Sequence, residues 1–271
     1  MVAQLESDAL FCVQCSPRIL LAVKSSALVI WHTRLMERRV VQQKTAGGVR
    51  ARVRAEMIAE IKAAARRHLA TDGANLSLRA IARDLGMVSS ALYRYFASRD
   101  DLLTALIIDT YNDMGEVAEK ADAGVDPRDL PGRWMAVARA LRRWALTNPA
   151  EYALLYGTPV PGYAAPQDTT APASRPVLVL GRILSAARTP GSVDEDAGIS
   201  SALHAEMRQV ADLTSPGVDD PTMIRGLIAW TLLFGALNFE LFGRINNVID
   251  QRDEWFDVQM RSMIDYMALS R

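Results

Sequence analysis

Within seven residues, Ser89-Ser90-Ala91-Leu92-Tyr93-Arg94-Tyr95, the chain places two adjacent hydroxyls, two phenols and a guanidinium. Hydroxyls and phenols donate and accept single hydrogen bonds, and a guanidinium presents a planar fork of donors suited to phosphate or to a paired acceptor edge. A serine becomes a nucleophile only with a base beside it. His32, His68 and His204 are scattered and have no evident partners in the sequence. The chemistry on offer is therefore recognition. Ser77, Arg79 and Arg83 lie just upstream and Arg99 just downstream, so the polar and basic groups gather in the stretch 77–99.

The elements that must position these groups can be read from the same stretch. Leu78, Ile81, Ala82, Leu85, Leu92 and Phe96 recur at helical spacing. Ser77 caps a helix over 78–84, Leu85-Gly86-Met87 forms a turn, and a further helix covers about 89–95. Gly86 sits where a left-handed backbone is needed, and Ala82 is small where the two helices cross. This is a helix-turn-helix arrangement. A preceding helix, about 50–70, carries the apolar face Val53, Met57, Ile61, Ala65 and Leu69, with His68 near its end as a dipole partner. Ser98 caps a fourth helix, whose first turn sets Asp100 and Asp101 against the positive end of its dipole. The exposed side left over suits double-stranded DNA. The start of the third helix offers small polar groups to base edges, and tyrosines and arginines flank it for phosphates. No cluster of aromatics suits stacking on unpaired bases.

Charge supports an anionic partner for this part alone. The net charge over 271 residues is zero, yet residues 50–99 hold ten basic against four acidic residues, residues 1–49 carry +3 and residues 100–271 carry −9. Cys12-x-x-Cys15 has no second pair to complete a zinc site and reads as two reduced thiols. Residues 1–48 read as an extension, either a disordered arm or the product of a misplaced start, with translation beginning near Met36. No uninterrupted apolar stretch is long enough for a membrane span; the run 226–239 reads as a buried helix. No Gly-x-Ser-x-Gly, His-Glu-x-x-His, phosphate loop or dinucleotide fingerprint is present, so neither catalysis nor a cofactor is expected.

The stretch SLRAIARDLGMVSSALYRYFASRDDLL, 77–103, closely resembles the N-terminal DNA-binding domain of the TetR family of bacterial transcriptional regulators, with Leu92–Leu102 as its most specific part. The resemblance implies an all-α fold: a three-helix DNA-binding domain at 49–97, then a larger helical ligand-binding and dimerisation domain at 98–271. It places Ser77 and Tyr93 at phosphates, Ser89 and Ser90 at the base-reading start of the third helix with Arg94 and Tyr95 following on its exposed side, Arg79 on the same surface, and Arg99 where the family has a phosphate-binding cation. Two more stretches, NPAEYALLYGTPVPGY at 148–163 and AWTLLFGALNFELFG at 229–243, resemble the WHG-type C-terminal domain of some TetR-like regulators. Trp230 and Gly235 match that motif, while Phe234 stands where it has His, which implies a more apolar site.

From 100 onward the pattern is helical, interrupted by a Pro-rich loop at 158–172 and a loop at 189–198 with an acidic tip at Asp194, Glu195 and Asp196. Trp134, Trp144, Tyr152, Tyr156, Trp230 and Phe234 are the candidate ligand-binding residues, with His204 and Asn238 as further polar groups. Phe256, Met260, Met263 and Met267 form a stripe read as a dimer interface. The expectation is a cytoplasmic one-component regulator, a homodimeric repressor released from a pseudo-palindromic operator by a small apolar effector. The alternatives are an activator of the same fold and a helical protein-interaction module with a DNA-binding head.

Overall fold

The protein is described by a computed structural model covering residues 46–187 and 199–270. The thiols Cys12 and Cys15, the start at Met36 and the acidic tip at 194–196 lie outside those residues. Ten α-helices and no strand are present among the described residues: α1 Ala46–Asp72, α2 Leu78–Asp84, α3 Ser89–Leu92, α4 Arg99–Ala123, α5 Leu130–Thr147, α6 Pro149–Tyr156, α7 Thr170–Ala186, α8 Ser201–Thr214, α9 Asp220–Leu241 and α10 Arg252–Tyr266. Packing divides them into two units. The first holds the described residues up to Thr110 together with Ala150–Thr170, and the second holds Tyr111–Pro149 with Ala171 onward. Helix α4 gives its first half to one and its second half to the other; the sequence boundary at 97/98 falls just ahead of its start.

In the first unit, Ser77 ends an extended segment and its hydroxyl accepts from the Ala80 amide, which starts α2. Gly86 closes α2 with φ +65°, and the Met87 amide donates back to the Ala82 carbonyl at 2.8 Å. Helix α2 packs on α1 and α3, and Ile61, Ala65, Leu69, Leu78, Ile81, Ala82, Leu92, Phe96, Leu102, Leu103 and Leu106 are buried in this unit. The apolar face read for the first helix is buried only from Ile61 onward. Val53 is 53% exposed, because the early turns of α1 run past the elements that cover the rest.

In the second unit α5 is the most enclosed element, packed by α9 and α10. The Trp134 indole donates to the Met260 carbonyl at 2.8 Å, tying α5 to α10. Arg133 holds the buried Asp122 by two hydrogen bonds, and Arg142 does the same for Glu240 while also reaching Asp253. Helices α7 and α8 meet at Gly181, where a Cβ would stand 2.1 Å from the Thr214 carbonyl oxygen, so only glycine allows this approach. Helix α7 begins at Thr170 rather than after Pro172. Pro172 falls in its first turn, where no amide donor is needed. By length and composition α9 could cross a bilayer, and half of its apolar window is buried in the fold.

Candidate nucleic-acid interface and helical body

The reading surface is built on a very short helix. Four residues of α-helix cannot hold themselves in water, so α3 depends on its surroundings. Leu92 is fully buried beneath it and Phe96 nearly so. Its N-cap is Val88, which gives no side-chain hydrogen bond, so Ser89 stands at the first helical position rather than in the cap. The hydroxyls of Ser89 and Ser90 are thus not consumed in capping; Ser90 is exposed and Ser89 half-buried. Tyr93 is 47% exposed, Arg94 is exposed and Tyr95 is half-buried. Ser77 and Arg79 are exposed on α2.

Beside Ser77, whose hydroxyl caps α2, three more of the candidates are engaged within the unit. The Arg99 Nη2 donates to the Ala74 carbonyl at 2.7 Å, which ties the start of α4 to the loop after α1. Over the Tyr95 ring lies the guanidinium of Arg54, 5.1 Å from the centroid. Arg54 also donates through both Nη atoms to the Arg94 carbonyl at 3.3 Å. The sequence reading left out this residue, although the run Arg50-x-Arg52-x-Arg54 at the start of the helix marks it as basic.

His68 does more than meet a dipole. Its Nε2 lies 2.6 Å from Asp84 Oδ2 and its Nδ1 3.3 Å from Asp72 Oδ2, so it braces α1 against α2. Lys62 and Arg66 of α1 share Asp109 of α4. These links tie α1 to α2 and to α4.

The six candidate ligand residues belong to both units. Tyr152 and Tyr156 belong to the first unit, with ring centroids 5.1 Å apart. Burial pushes the Tyr152 hydroxyl above the ordinary tyrosine range. Trp230 and Phe234 pair at 4.3 Å in the second unit. Trp134 and Trp144 are buried there as well, the former held by its indole bond. His204 contacts Asp220 at the start of α9, and Asn238 donates to the Phe234 carbonyl within its own helix.

An open groove of about 670 Å³ lies instead between α9 and α10, lined by Ile228, Leu232, Gly235, Phe239 and Trp255 among others. None of the six candidates lines it. The stripe read as a dimer interface is corrected here: Phe256, Met260 and Met267 are buried inside the chain and Met263 is half-buried. An apolar stripe on a surface helix marks its core side, and α10 uses that side to cover α5. The exposed large apolar groups on these two helices are Ile228, Phe239, Trp255, Val258 and Tyr266.

Comparison with known proteins agrees with the geometry of both units. Residues 61–106 match the model of bacterial regulatory proteins of the tetR family, and residues 134–263 match the tetracyclin repressor-like C-terminal domain. The HTH-type transcriptional regulator Rv1816 of Mycobacterium tuberculosis is 39% identical over 228 residues, covering 82% of this chain and 96% of that protein. The chain belongs to the TetR family. The regulator Mb1846 of Mycobacterium bovis aligns with the same identity and coverage. The crystal structure of regulatory protein SCO4313 superposes with a TM-score of 0.66 at 34% identity, over 79% of this chain and 98% of the other. As a TetR-family member the protein is a transcriptional regulator with a DNA-binding helix-turn-helix, and not an enzyme. The eight candidate DNA-binding residues all fall inside the matched segment 61–106; Arg54 lies ahead of it.

Proposed function

We propose that this TetR-family protein is a ligand-responsive cytoplasmic repressor, binding a pseudo-palindromic operator as a homodimer and leaving it when a small, largely apolar molecule enters the helical body. The observation that carries the DNA part is the exposed strip Ser90, Tyr93 and Arg94 on a one-turn helix and the turn after it, beside buried Leu92 and Phe96. Ser89 and Ser90 read bases, while Ser77, Arg79 and Tyr93 meet phosphates, joined by the donors of Arg99 that Ala74 does not occupy. Two such surfaces must stand about 34–36 Å apart to read successive major grooves, which calls for two copies.

The open face of α9 and α10 supports a second copy as its occupant. Ile228, Phe239 and Trp255 are exposed on it, and nothing lies within 4 Å of where a Cβ on Gly235 would be, so a partner helix could approach closely. The paired rings of Trp230 and Phe234 in the second unit are the proposed effector contacts, apolar in keeping with Phe234 in place of His. Effector lowers operator affinity only by as much as it distinguishes two conformations, and α4, continuous through both units, is the proposed lever.

The first test is selection of bound duplexes from a random pool. An enriched inverted repeat supports the dimeric reading, and an enriched single half-site contradicts it. A promoter fused to the repeat then decides sign: loss of expression means repressor, gain means activator. The same open groove favours a second reading, a module that takes a partner helix from another protein. Sedimentation separates the two. Phe239→Glu should convert a dimer to a monomer, whereas a wild type already monomeric at micromolar concentration contradicts the homodimer.

A further inference from the structure

We infer that Arg54 is a positioning residue for DNA reading: from the part of α1 ahead of the matched family segment, it fixes the end of the recognition segment and thereby the directions of Arg94 and Tyr95. This rests on the DNA-binding role of α3. The chain leaves the helix at Tyr93, and the amides of Tyr95 and Phe96 both donate back to the Leu92 carbonyl. Carbonyls at the end of a helix have no partner in the helical ladder. The Arg94 carbonyl lies in the turn just past that end, and both Nη atoms of Arg54 donate to it. The same guanidinium lies over the Tyr95 ring at 5.1 Å. One side chain, forty residues away in sequence, therefore holds two consecutive residues of the reading surface by backbone and by ring.

The front of the segment is held otherwise, by the Gly86 turn and the Met87 to Ala82 hydrogen bond. Its middle is held by buried Leu92. At the rear, where Arg94 and Tyr95 project, Arg54 adds its contacts to the backbone bonds to Leu92 and the burial of Phe96. The early turns of α1 contain no buried residue from Gly48 to Glu60, so packing of the unit does not account for the conformation of Arg54. Arg50, one turn earlier on the same helix and also exposed, has the same charge and no contact of this kind among the described residues. It is the natural control for charge alone.

The experiment compares wild type, Arg50→Ala, Arg54→Ala, Arg54→Lys, Arg94→Ala and the double variant Arg54→Ala with Arg94→Ala, each in duplex selection and in salt-dependent binding to the selected and to a random duplex. Arg54→Ala is expected to weaken the selected duplex by about tenfold while weakening the random one no more than Arg50→Ala does. Base preferences should broaden at the positions that Arg94→Ala also alters, and the two substitutions together should cost little more than the larger alone. Lysine keeps the charge over Tyr95 but loses the fork, so Arg54→Lys should fall between wild type and alanine. Equal losses for Arg50→Ala and Arg54→Ala on both duplexes would overturn the inference and leave only charge. So would additivity in the double variant. Should Arg54→Ala fail to fold, wild-type preferences in Arg54→Lys at reduced affinity would overturn it too. If wild type enriches no duplex, the DNA-reading role of α3 itself fails, and this inference with it.

Discussion

The two units of this chain hold their candidate residues in opposite ways. In the first, the DNA-facing groups are polar, outward and close in sequence, while the apolar groups beneath them form a small core. In the second, the effector candidates Trp134, Trp144 and Phe234 are large, apolar and buried, and Trp134 already serves as a tie between helices. A surface for recognition separates its chemistry from its core. A binding site inside a helix bundle makes both from the same residue types. The separation teaches that damage to the two should also separate.

The largest expected effect breaks the second unit. Asp122→Ala leaves the Arg133 guanidinium buried without its carboxylate, which should cost about 3–5 kcal/mol. The four described tryptophans, Trp134, Trp144, Trp230 and Trp255, all lie in that unit. Tryptophan fluorescence should therefore report an early urea transition. Leu92→Ala acts on the other side. Removing a fully buried leucine beneath α3 should cost about 2–5 kcal/mol of first-unit stability and abolish operator binding. The fluorescence midpoint should stay where it is. If Leu92→Ala moves the fluorescence midpoint as far as Asp122→Ala does, the units unfold as one and the contrast is wrong.

A smaller effect sharpens the contrast inside the first unit. Arg99 is both a structural tie to Ala74 and a proposed phosphate contact. Arg99→Ala should lower stability by about 1 kcal/mol and the log-log salt slope of binding by about one. A changed melting temperature with an unchanged slope would assign Arg99 to structure alone.

The first unit was legible because its logic is local. Ser77, Gly86, Leu92 and Ser98 act on partners a few residues away, and their caps and turn occur where their types require. Arg54 escaped because its partners are forty residues off, and a basic helix start does not say which carbonyl it will meet. His68 escaped for the same reason: Asp84 belongs to another helix. In the second unit, helical periodicity located α5, α9 and α10 but not their surroundings. The stripe Phe256, Met260 and Met267 is as apolar as any interface, and only the position of α5 decides that it faces inward. The Pro-rich composition of 158–172 marks a loop, yet Pro172 sits in the first turn of α7, where a proline starts a helix rather than ending one.

The smallest effects should appear at the two ends of the pH range, one for each unit. Tyr152, in the first, is held neutral by burial, so its folded-state pKa lies above the unfolded value of roughly 10. The folded state then keeps a proton that the unfolded state releases. Its contribution is complete below that pH and is lost as pH rises through the folded value. Glu119, in the second, is held below the usual glutamate range by hydrogen bonds from Arg175. Its contribution is present above roughly pH 4.3 and is lost as pH falls through the lower folded value. Its side chain is 39% exposed, so screening limits the pair to about 0.2–1 kcal/mol. Thermal unfolding from pH 3 to 11 should therefore show an alkaline decline that Tyr152→Phe flattens and a weaker acid decline that Glu119→Gln flattens. Each substitution should leave the opposite limb unchanged. An acid limb altered by Tyr152→Phe would mean that the first unit's burial, not the second unit's ion pair, governs acid stability, and the division of labour between the units would have to be redrawn.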